Sequence, residues 1–474
     1  MNTSAKVAYN TTIQIISKVI STILMLFAIA IMTRYLGQSG FGQYTIIITF
    51  LSFFGVLADL GLTLVTTQLI SQPNNDEKTF INNLFTLRFF SALFFLGLAP
   101  LVVFFMPYEP IVKLGIAIIT LSFFFIALNQ IMVGLFQKHL KMIAVAVAEI
   151  ISKIILLVGM IVIVYLNKGL TGIMIISVLA SAVSFFVHFG YAQKIVKIKF
   201  RFDFPLWLEI IKKSWPLTLT IVFNLIYLRA DTLILSLIKD PSEVGIYGAS
   251  YRIVDFLTTL PFMFCGVILP LLTISWANSQ IDKFKKIMQK SFDAIIIITI
   301  PMLIGTQLVS KQIISLIAGT EFIASGEVLK ILILATSAVF FGCLFSHAVI
   351  ALDKQKKMIP FYLLTAVTSV AGYLYFIPKY SYFGAAWVTV YSELLIALAS
   401  FVLVVKISGL RLKLNIFLKT LIASLLMAVV VYFIRTNLNI ILTLILAIST
   451  YLITLYLLKG ITKNDFLNLI NKPE

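Results

Sequence analysis

The chain has 474 residues, of which 60% are hydrophobic and 12% are charged. Soluble domains carry about 25% charged residues, so this composition excludes an ordinary soluble protein and predicts a polytopic integral membrane protein. The formal net charge of +18 does not indicate nucleic-acid binding, because lysines that flank apolar helices follow from the positive-inside rule.

Fourteen apolar stretches are long enough to cross a bilayer as helices. They lie near residues 11–35, 44–70, 80–106, 111–136, 142–166, 170–193, 214–238, 246–274, 288–309, 327–352, 358–377, 383–405, 415–434 and 438–458. The first stretch is too long for the core of a signal peptide, so we expect a first transmembrane span there. The predicted fold is therefore an all-α integral membrane protein with about 14 transmembrane helices.

A glycine-rich segment separates the first two stretches. Gly37, Gly40 and Gly42 precede Tyr44, and so many glycines disfavour a continuous helix. We therefore predict a turn at the membrane boundary, followed by one long span over 44–70. Asp59 lies inside that span, where an unpaired charge at bilayer depth costs about 2.5–3.5 kcal/mol by insertion scales. This aspartate needs a partner or a function.

The distribution of basic residues predicts the topology. With the N-terminus inside, about 24 lysines and arginines fall on the cytoplasmic side and about 7 on the outer side. Both termini are therefore expected in the cytoplasm. The basic segment 194–213, which carries Pro205 and Trp207, separates six spans from eight and is expected to form a linker with an interfacial amphipathic stretch.

Two short segments recur six spans apart. LFQKHLKMI at 135–143 resembles ALDKQKKMI at 351–359, and the glycine turn ending at Tyr44 resembles DPSEVGIY at 240–247. An even offset gives two halves of the same orientation, as in transporters whose substrate path lies between parallel repeats. The predicted division is a six-helix lobe (1–195), a basic cytoplasmic linker (196–213), a second six-helix lobe (214–408) and two extra helices with a cytoplasmic tail (409–474).

Twelve ionisable residues lie inside the predicted spans. Asp293 and Lys330 are close to span ends and are expected to be interfacial, and the other ten need an explanation. They are Lys18, Asp59, Arg88, Glu149 and Lys153 in the first lobe, and Arg229, Asp231, Arg252, Asp255 and Glu393 in the second. One explanation is a set of buried ion pairs or side chains that snorkel to the interface. The other, which the grouping into two clusters favours, is a hydrophilic lumen, and we predict these ten residues as its substrate-binding charges.

Spacing predicts some of the partners. Glu149 and Lys153 are four residues apart, and Arg252 and Asp255 are three apart, so each couple can pair on one helix face. Arg229 and Asp231 lie about 200° apart around a helix and cannot both face one cavity.

A basic lumen suits an anionic substrate, because guanidinium groups bind phosphate oxygens through paired hydrogen bonds. A pyrophosphate head group is the natural candidate. The acids balance this charge or couple transport to a gradient of H⁺ or Na⁺. No catalytic residue and no cofactor are expected.

The cysteines and histidines show no ligand spacing. Cys265 and Cys343 lie within apolar runs and are expected to be small buried side chains. His139, His188 and His347 are far apart in the chain. We therefore predict no disulfide framework and no metal site.

Four motifs together resemble the Wzx-type polysaccharide flippases of the multidrug/oligosaccharidyl-lipid/polysaccharide exporter superfamily. They are RYLGQSGFGQY after the first span, ADLGL in the second, LRADTLIL in the seventh and SEVGIYGASYR entering the eighth. The resemblance implies two six-helix bundles with two added C-terminal helices, in a bacterial inner membrane. It also implies export of an undecaprenyl-pyrophosphate-linked oligosaccharide by alternating access, for O-antigen, capsule or a similar polysaccharide. Other polysaccharide assembly proteins are the partners that the resemblance implies. By motif, Asp59, Arg229 and Asp231 would lie in the central region.

Two alternatives stay open, and a third is disfavoured. An ion-coupled multidrug antiporter of the same superfamily usually has near twelve spans, and a flippase for the peptidoglycan lipid precursor also has fourteen. A membrane polymerase or glycosyltransferase would be an enzyme, but it should show a large outer loop or a sizeable cytoplasmic domain, and the sequence has neither.

Overall fold

The computed structural model describes residues 3–70 and 76–461, and these residues are almost entirely helical with no strand. Within these described residues thirteen α-helices follow one another, with two 3₁₀ turns at Thr320–Phe322 and Gln355–Met358. The helices are α1 (Thr3–Asp59), α2 (Leu62–Ile70), α3 (Glu77–Phe104), α4 (Pro110–Lys138), α5 (Ile143–Tyr165), α6 (Gly169–Gln193), α7 (Phe204–Ile238), α8 (Pro241–Ala277), α9 (Ile281–Ala318), α10 (Ile323–Ala351), α11 (Ile359–Ser408), α12 (Asn415–Ile434) and α13 (Ile440–Leu457). The predicted all-α membrane fold is confirmed.

Two of these helices are long enough to contain two spans each. The 57-residue α1 has a non-helical residue at Gly37, with φ of 64°, and the 50-residue α11 has one at Ser381, with φ of 51°. Twelve helical stretches of the described chain are long and apolar enough to cross a membrane, and division at these two kinks gives fourteen segments. This number agrees with the count made from the sequence.

The backbone around the second predicted span differs from expectation in two ways. The predicted glycine turn shrinks to the single residue Gly37, since Gly40 and Gly42 are helical. The predicted continuous span 44–70 is instead broken, because Leu60 and Gly61 have φ of 48° and 70°. At Gly61 an added Cβ would lie 2.9 Å from a backbone carbonyl oxygen of α7, so only glycine fits without strain.

The predicted linker 196–213 is shorter than expected because α7 begins inside it. Asp203 caps the helix, and its carboxylate accepts a hydrogen bond of 3.1 Å from the backbone N–H of Leu206. Pro205 occupies the first turn, where its missing N–H costs nothing. The indole Nε1 of Trp207 donates to Asn83 Oδ1 of α3 at 3.0 Å. The predicted tail beyond residue 461 lies outside the described residues.

Close approach between Cα atoms groups the chain into two compact units, Met1–Gly248 and Ala249–Glu474, and the boundary falls within α8. The first unit therefore contains α7 as well as the helices before it. Its core includes Leu84, Leu128 and Phe136. In the second unit a core cluster includes Phe284 and Phe340.

Candidate functional site

The break at the end of α1 brings together two of the predicted site residues. Asp59 is the last residue of α1, and its Oδ1 lies 2.5 Å from Nη1 of Arg88 on α3. The side chains are 14% and 4% exposed, so this is a buried ion pair. Thr63 of α2 also donates to Oδ1, through its hydroxyl and through its backbone N–H at 3.3 Å. The carboxylate thus joins the two helices that flank the break.

Arg88 does more than neutralise Asp59. Its Nε donates to the carbonyl oxygen of Ala127 on α4 at 3.0 Å, and Nη1 donates to that of Ala58 at 3.2 Å. Ser91 Oγ adds a bond of 2.8 Å to the Ala58 carbonyl. The last carbonyls of a helix lack partners within it, so these side chains provide the hydrogen bonds that the break removes. Buried in this way, Arg88 holds α1, α3 and α4 together.

This arrangement matches the ion-pair alternative for two of the predicted lumen charges. The sequence placed Asp59 and Arg88 among the charges of the first lobe but gave no reason to pair them. An isolated guanidinium in such a site would be costly, and an acid together with two carbonyl oxygens compensates it.

A second carboxylate of the first unit is fully buried. Asp231 on α7 accepts a hydrogen bond of 2.7 Å from the hydroxyl of Tyr247, which is itself fully buried in the first turns of α8. Its other oxygen accepts from the backbone N–H of Thr232 at 2.5 Å and from the hydroxyl of Thr232 at 3.1 Å. Asp231 therefore ties α7 to the start of α8 in this structure. Arg229, two residues earlier, is only half-buried.

The other predicted site residues lie in varied environments. Lys18 is exposed, and Glu149 is half-buried. Lys153 is also half-buried, and its Nζ lies 3.8 Å from Met25 Sδ. In the second unit, Arg252 and Asp255 are half-buried and Glu393 is 7% exposed.

A charged cluster that the sequence analysis missed lies where α2, α3 and α4 end or begin. Lys138, the last residue of α4, donates to the carbonyl of Ile70 at 2.6 Å and to Glu77 at 2.8 Å. The Nε2 of His139 lies 2.6 Å from the other oxygen of Glu77. Lys138 belongs to the repeated LFQKHLKMI segment, and that repeat was the one indication in the sequence that this position matters. The sequence analysis used this segment for the repeat and for topology and did not predict an ion pair of Lys138 with Glu77.

The spacing of the cysteines and histidines along the chain predicted no ligand set, but the structure brings three of these residues together. Cys265 of α8 and the pair Cys343 and His347 of α10 bring their ligand atoms within 4.8 Å of one another. Distance along the chain hid this cluster, because packing of α8 and α10 creates it.

The second unit also contains an apolar cavity of about 440 Å³. Four phenylalanines contribute to its lining, namely Phe292, Phe341, Phe345 and Phe401. No charged side chain lines it, so the cavity suits a hydrocarbon chain and not a phosphate or a sugar.

Comparison with known proteins gives consistent results. The family model described as polysaccharide biosynthesis protein matches residues 6–276. A putative O-antigen transporter of Shigella flexneri is 23% identical over 384 residues, which cover 77% of this chain and 90% of that protein.

Solved structures share the fold. The lipid II flippase MurJ in an inward closed conformation superposes with a TM-score of 0.76 at 18% identity, covering 96% of this chain and 99% of that one. An inward-facing multidrug resistance MATE family transporter of the MOP superfamily superposes with a TM-score of 0.66 at 14% identity, covering 82% and 94%. At these identities the likeness concerns the fold alone.

Proposed function

The chain belongs to the polysaccharide biosynthesis protein family, and we propose that it moves an undecaprenyl-pyrophosphate-linked oligosaccharide across the cytoplasmic membrane by alternating access. The observation that carries the proposal is the family match over residues 6–276, which include nine of the ten predicted charges. The protein is a multi-pass membrane protein, and its family and fold are those of transporters. We therefore assign it no catalytic residues.

The sequence favours Arg229 and Arg252 as the residues that contact the phosphate, and the buried contacts of Arg88 support that preference. Arg88 donates to Asp59 and to two backbone carbonyls, so it contributes to the packing of the first unit. Arg229 and Arg252 are half-buried and keep part of their side chains exposed. A guanidinium can bind two phosphate oxygens at once through its planar fork of donors. We propose Arg229 and Arg252 as phosphate ligands.

The apolar cavity supports a lipid-linked substrate. Its phenylalanine-rich lining offers hydrocarbon contacts and no hydrogen-bonding partner for a sugar. An isoprenoid chain that enters from the bilayer exchanges lipid contacts for contacts with these phenylalanines, so it can occupy the cavity at little cost.

A second candidate function is flipping of the lipid-linked precursor of peptidoglycan. The observation that favours it is the fold likeness to the lipid II flippase, which covers 96% of this chain. The likeness to the multidrug transporter covers less of the chain, so we rank an ion-coupled drug antiporter third.

Complementation in two bacterial strains separates these functions. One strain lacks its O-antigen flippase, and the other is depleted of its lipid II flippase. We expect the chain to restore surface polysaccharide in the first and not viability in the second. Rescue of viability alone would transfer the assignment to the peptidoglycan precursor. Rescue of neither, with normal protein levels in the membrane, would argue against both substrates.

Arginine variants then test the phosphate ligands. We expect Arg229→Ala and Arg252→Ala each to reduce export of surface polysaccharide, and Arg229→Lys to restore it only in part because lysine lacks the planar fork. Arg411→Ala is the matched control, since Arg411 is exposed outside the helices. Unimpaired export in both alanine variants, at normal protein levels, would refute the assignment.

Orientation and energy coupling are part of the same proposal. We place the protein in a bacterial inner membrane with both termini in the cytoplasm. Other polysaccharide assembly proteins then act on the exported product. Transport is coupled to a gradient of H⁺ or Na⁺. A fluorescent reporter that is active only in the cytoplasm, fused to the C-terminus, tests the orientation. Uptake of the lipid-linked substrate into vesicles with an imposed proton or sodium gradient distinguishes the coupling ions.

A further inference from the structure

Two thiols and one imidazole meet inside the second unit. Cys265 lies on α8, while Cys343 and His347 are four residues apart and share one face of α10. The ligand atoms of all three lie within 4.8 Å of one another. Cys265 is 1% exposed and Cys343 is 5% exposed, whereas His347 is half-buried. Among residues 3–70 and 76–461, this is the set of potential metal ligands that the packing assembles.

The imidazole is oriented by its own helix. Nδ1 of His347 lies 2.8 Å from the carbonyl oxygen of Cys343 and 3.6 Å from the Sγ of the same residue. A carbonyl can only accept, so Nδ1 carries the proton and the lone pair is on Nε2. Metal-binding histidines usually donate their second ring nitrogen to a carbonyl or a carboxylate in this way, because the bond fixes both tautomer and ring orientation.

We propose that Cys265, Cys343 and His347 bind a Zn²⁺ ion that ties α8 to α10. Thiolate and imidazole ligands suit Zn²⁺ and Cu⁺ among the common cations. Both cysteines belong to an apolar core cluster that also contains Ile268 and Leu344, where a net charge would be costly. Zn²⁺ displaces one proton from each thiol, and these two protons leave to water. The neutral thiol pair becomes a neutral zinc dithiolate, whereas Cu⁺ would leave a net negative charge.

Three protein ligands leave one position of a tetrahedral ion open. A water molecule would fill it on the half-buried side, where His347 lies. The proposal is independent of the transported substrate, since it concerns contacts within one unit. Its expected effect is to stabilise the packing of α8 against α10.

The test uses the full-length protein purified in detergent with reductant, stripped with a chelator and then titrated with ZnCl₂ against a chromophoric zinc indicator. We expect one Zn²⁺ per chain. Cys265→Ser, Cys343→Ser and His347→Gln should each weaken binding at least ~10-fold. His188→Gln is the matched control, because His188 makes the same 2.8 Å bond to the carbonyl four residues earlier but lies on α6 of the first unit and is not a member of the ligand cluster. It should bind Zn²⁺ like the parent protein.

A second measurement on the unmodified protein avoids variants that fail to fold. The sequence contains two cysteines, so thiol reagents report on this site alone. Added Zn²⁺ should slow alkylation of both, and X-ray absorption should show two sulfur ligands at about 2.3 Å and one nitrogen at about 2.0–2.1 Å. Less than a tenth of an equivalent of bound Zn²⁺, binding that survives both serine substitutions, or a disulfide between the two cysteines in protein kept under reductant would each overturn the proposal.

Discussion

Gly42 provides the sharpest prediction about the fold, because α1 meets the start of α8 there with no side chain between them. An added Cβ at Gly42 would overlap the carbonyl oxygen of Pro241, and one at Gly245 would overlap that of Gln38. Small residues permit this close approach of backbones in membrane helices. The helical conformation of Gly42 shows that it is needed for packing and not for a turn.

The cost of Gly42→Ala follows from the atoms involved. The obstructing atoms are backbone, so no side chain can rotate away, and the two helices must separate until the contact reaches about 3 Å or more. A gap of 0.5–1 Å already forfeits a quarter to a half of each dispersion contact along the interface. Overpacking of this kind costs about 3 kcal/mol, the upper end of the usual range.

Thermal unfolding of the purified protein in detergent measures this cost. We expect Gly42→Ala to lower the melting temperature by about 5 °C. Gly97→Ala is the matched control, because it is also helical and an added Cβ there meets nothing within 4 Å. The control should be neutral or stabilising by up to about 1 kcal/mol, since alanine is the better helix former. Equal melting temperatures for the two variants would refute the packing argument.

Three further predictions concern the first unit. Arg88→Ala should lower the unfolding free energy by about 3–5 kcal/mol because Asp59 loses its buried partner, and a loss below 1 kcal/mol in chemical unfolding would contradict this role. The double variant with Arg88→Ala and Asp59→Asn should lose less unfolding free energy than the sum of the losses in the two single variants. Trp207→Phe should cost about 1 kcal/mol through the lost indole bond, measured by the same unfolding. Glu149 and Lys153 are predicted to pair, so neutralising both should lower the unfolding free energy less than neutralising either one alone. A loss in the double variant equal to the sum of the single losses would exclude pairing.

The sequence predicted the fold well because a bilayer allows few choices. Backbone groups in lipid must be satisfied within the segment, so long apolar runs form helices and their number can be counted. Even the kinks at Gly37 and Ser381 fall between predicted spans. The break at Leu60 and Gly61 was missed, because a leucine and a single glycine leave hydropathy unchanged. The break depends on hydrogen-bond donors from α2 and α3, which hydropathy does not reveal.

The candidate site was predicted less completely, for a related reason. Hydropathy and helix rise place a charge at a depth, but they do not identify the neighbouring helix. Asp59 and Arg88 were therefore found as charges and missed as a pair. Cys265 and His347 were judged isolated because their contact is made by two helices packing together. The roles of charges inside the membrane are decided by lateral contacts, about which a single sequence says little.

Burial separates the predicted charges into two kinds, and the separation bears on transport. Arg88 and Asp231 are buried and bonded to groups of their own unit, so a substrate would have to displace those bonds to reach them. Such displacement carries the full cost of leaving buried polar partners unsatisfied, about 1–3 kcal/mol for each group. Arg229 and Arg252 are half-buried, so a phosphate can reach them with less rearrangement of the surrounding packing. We therefore expect the half-buried arginines to bind the phosphate. The buried charges instead hold helices together.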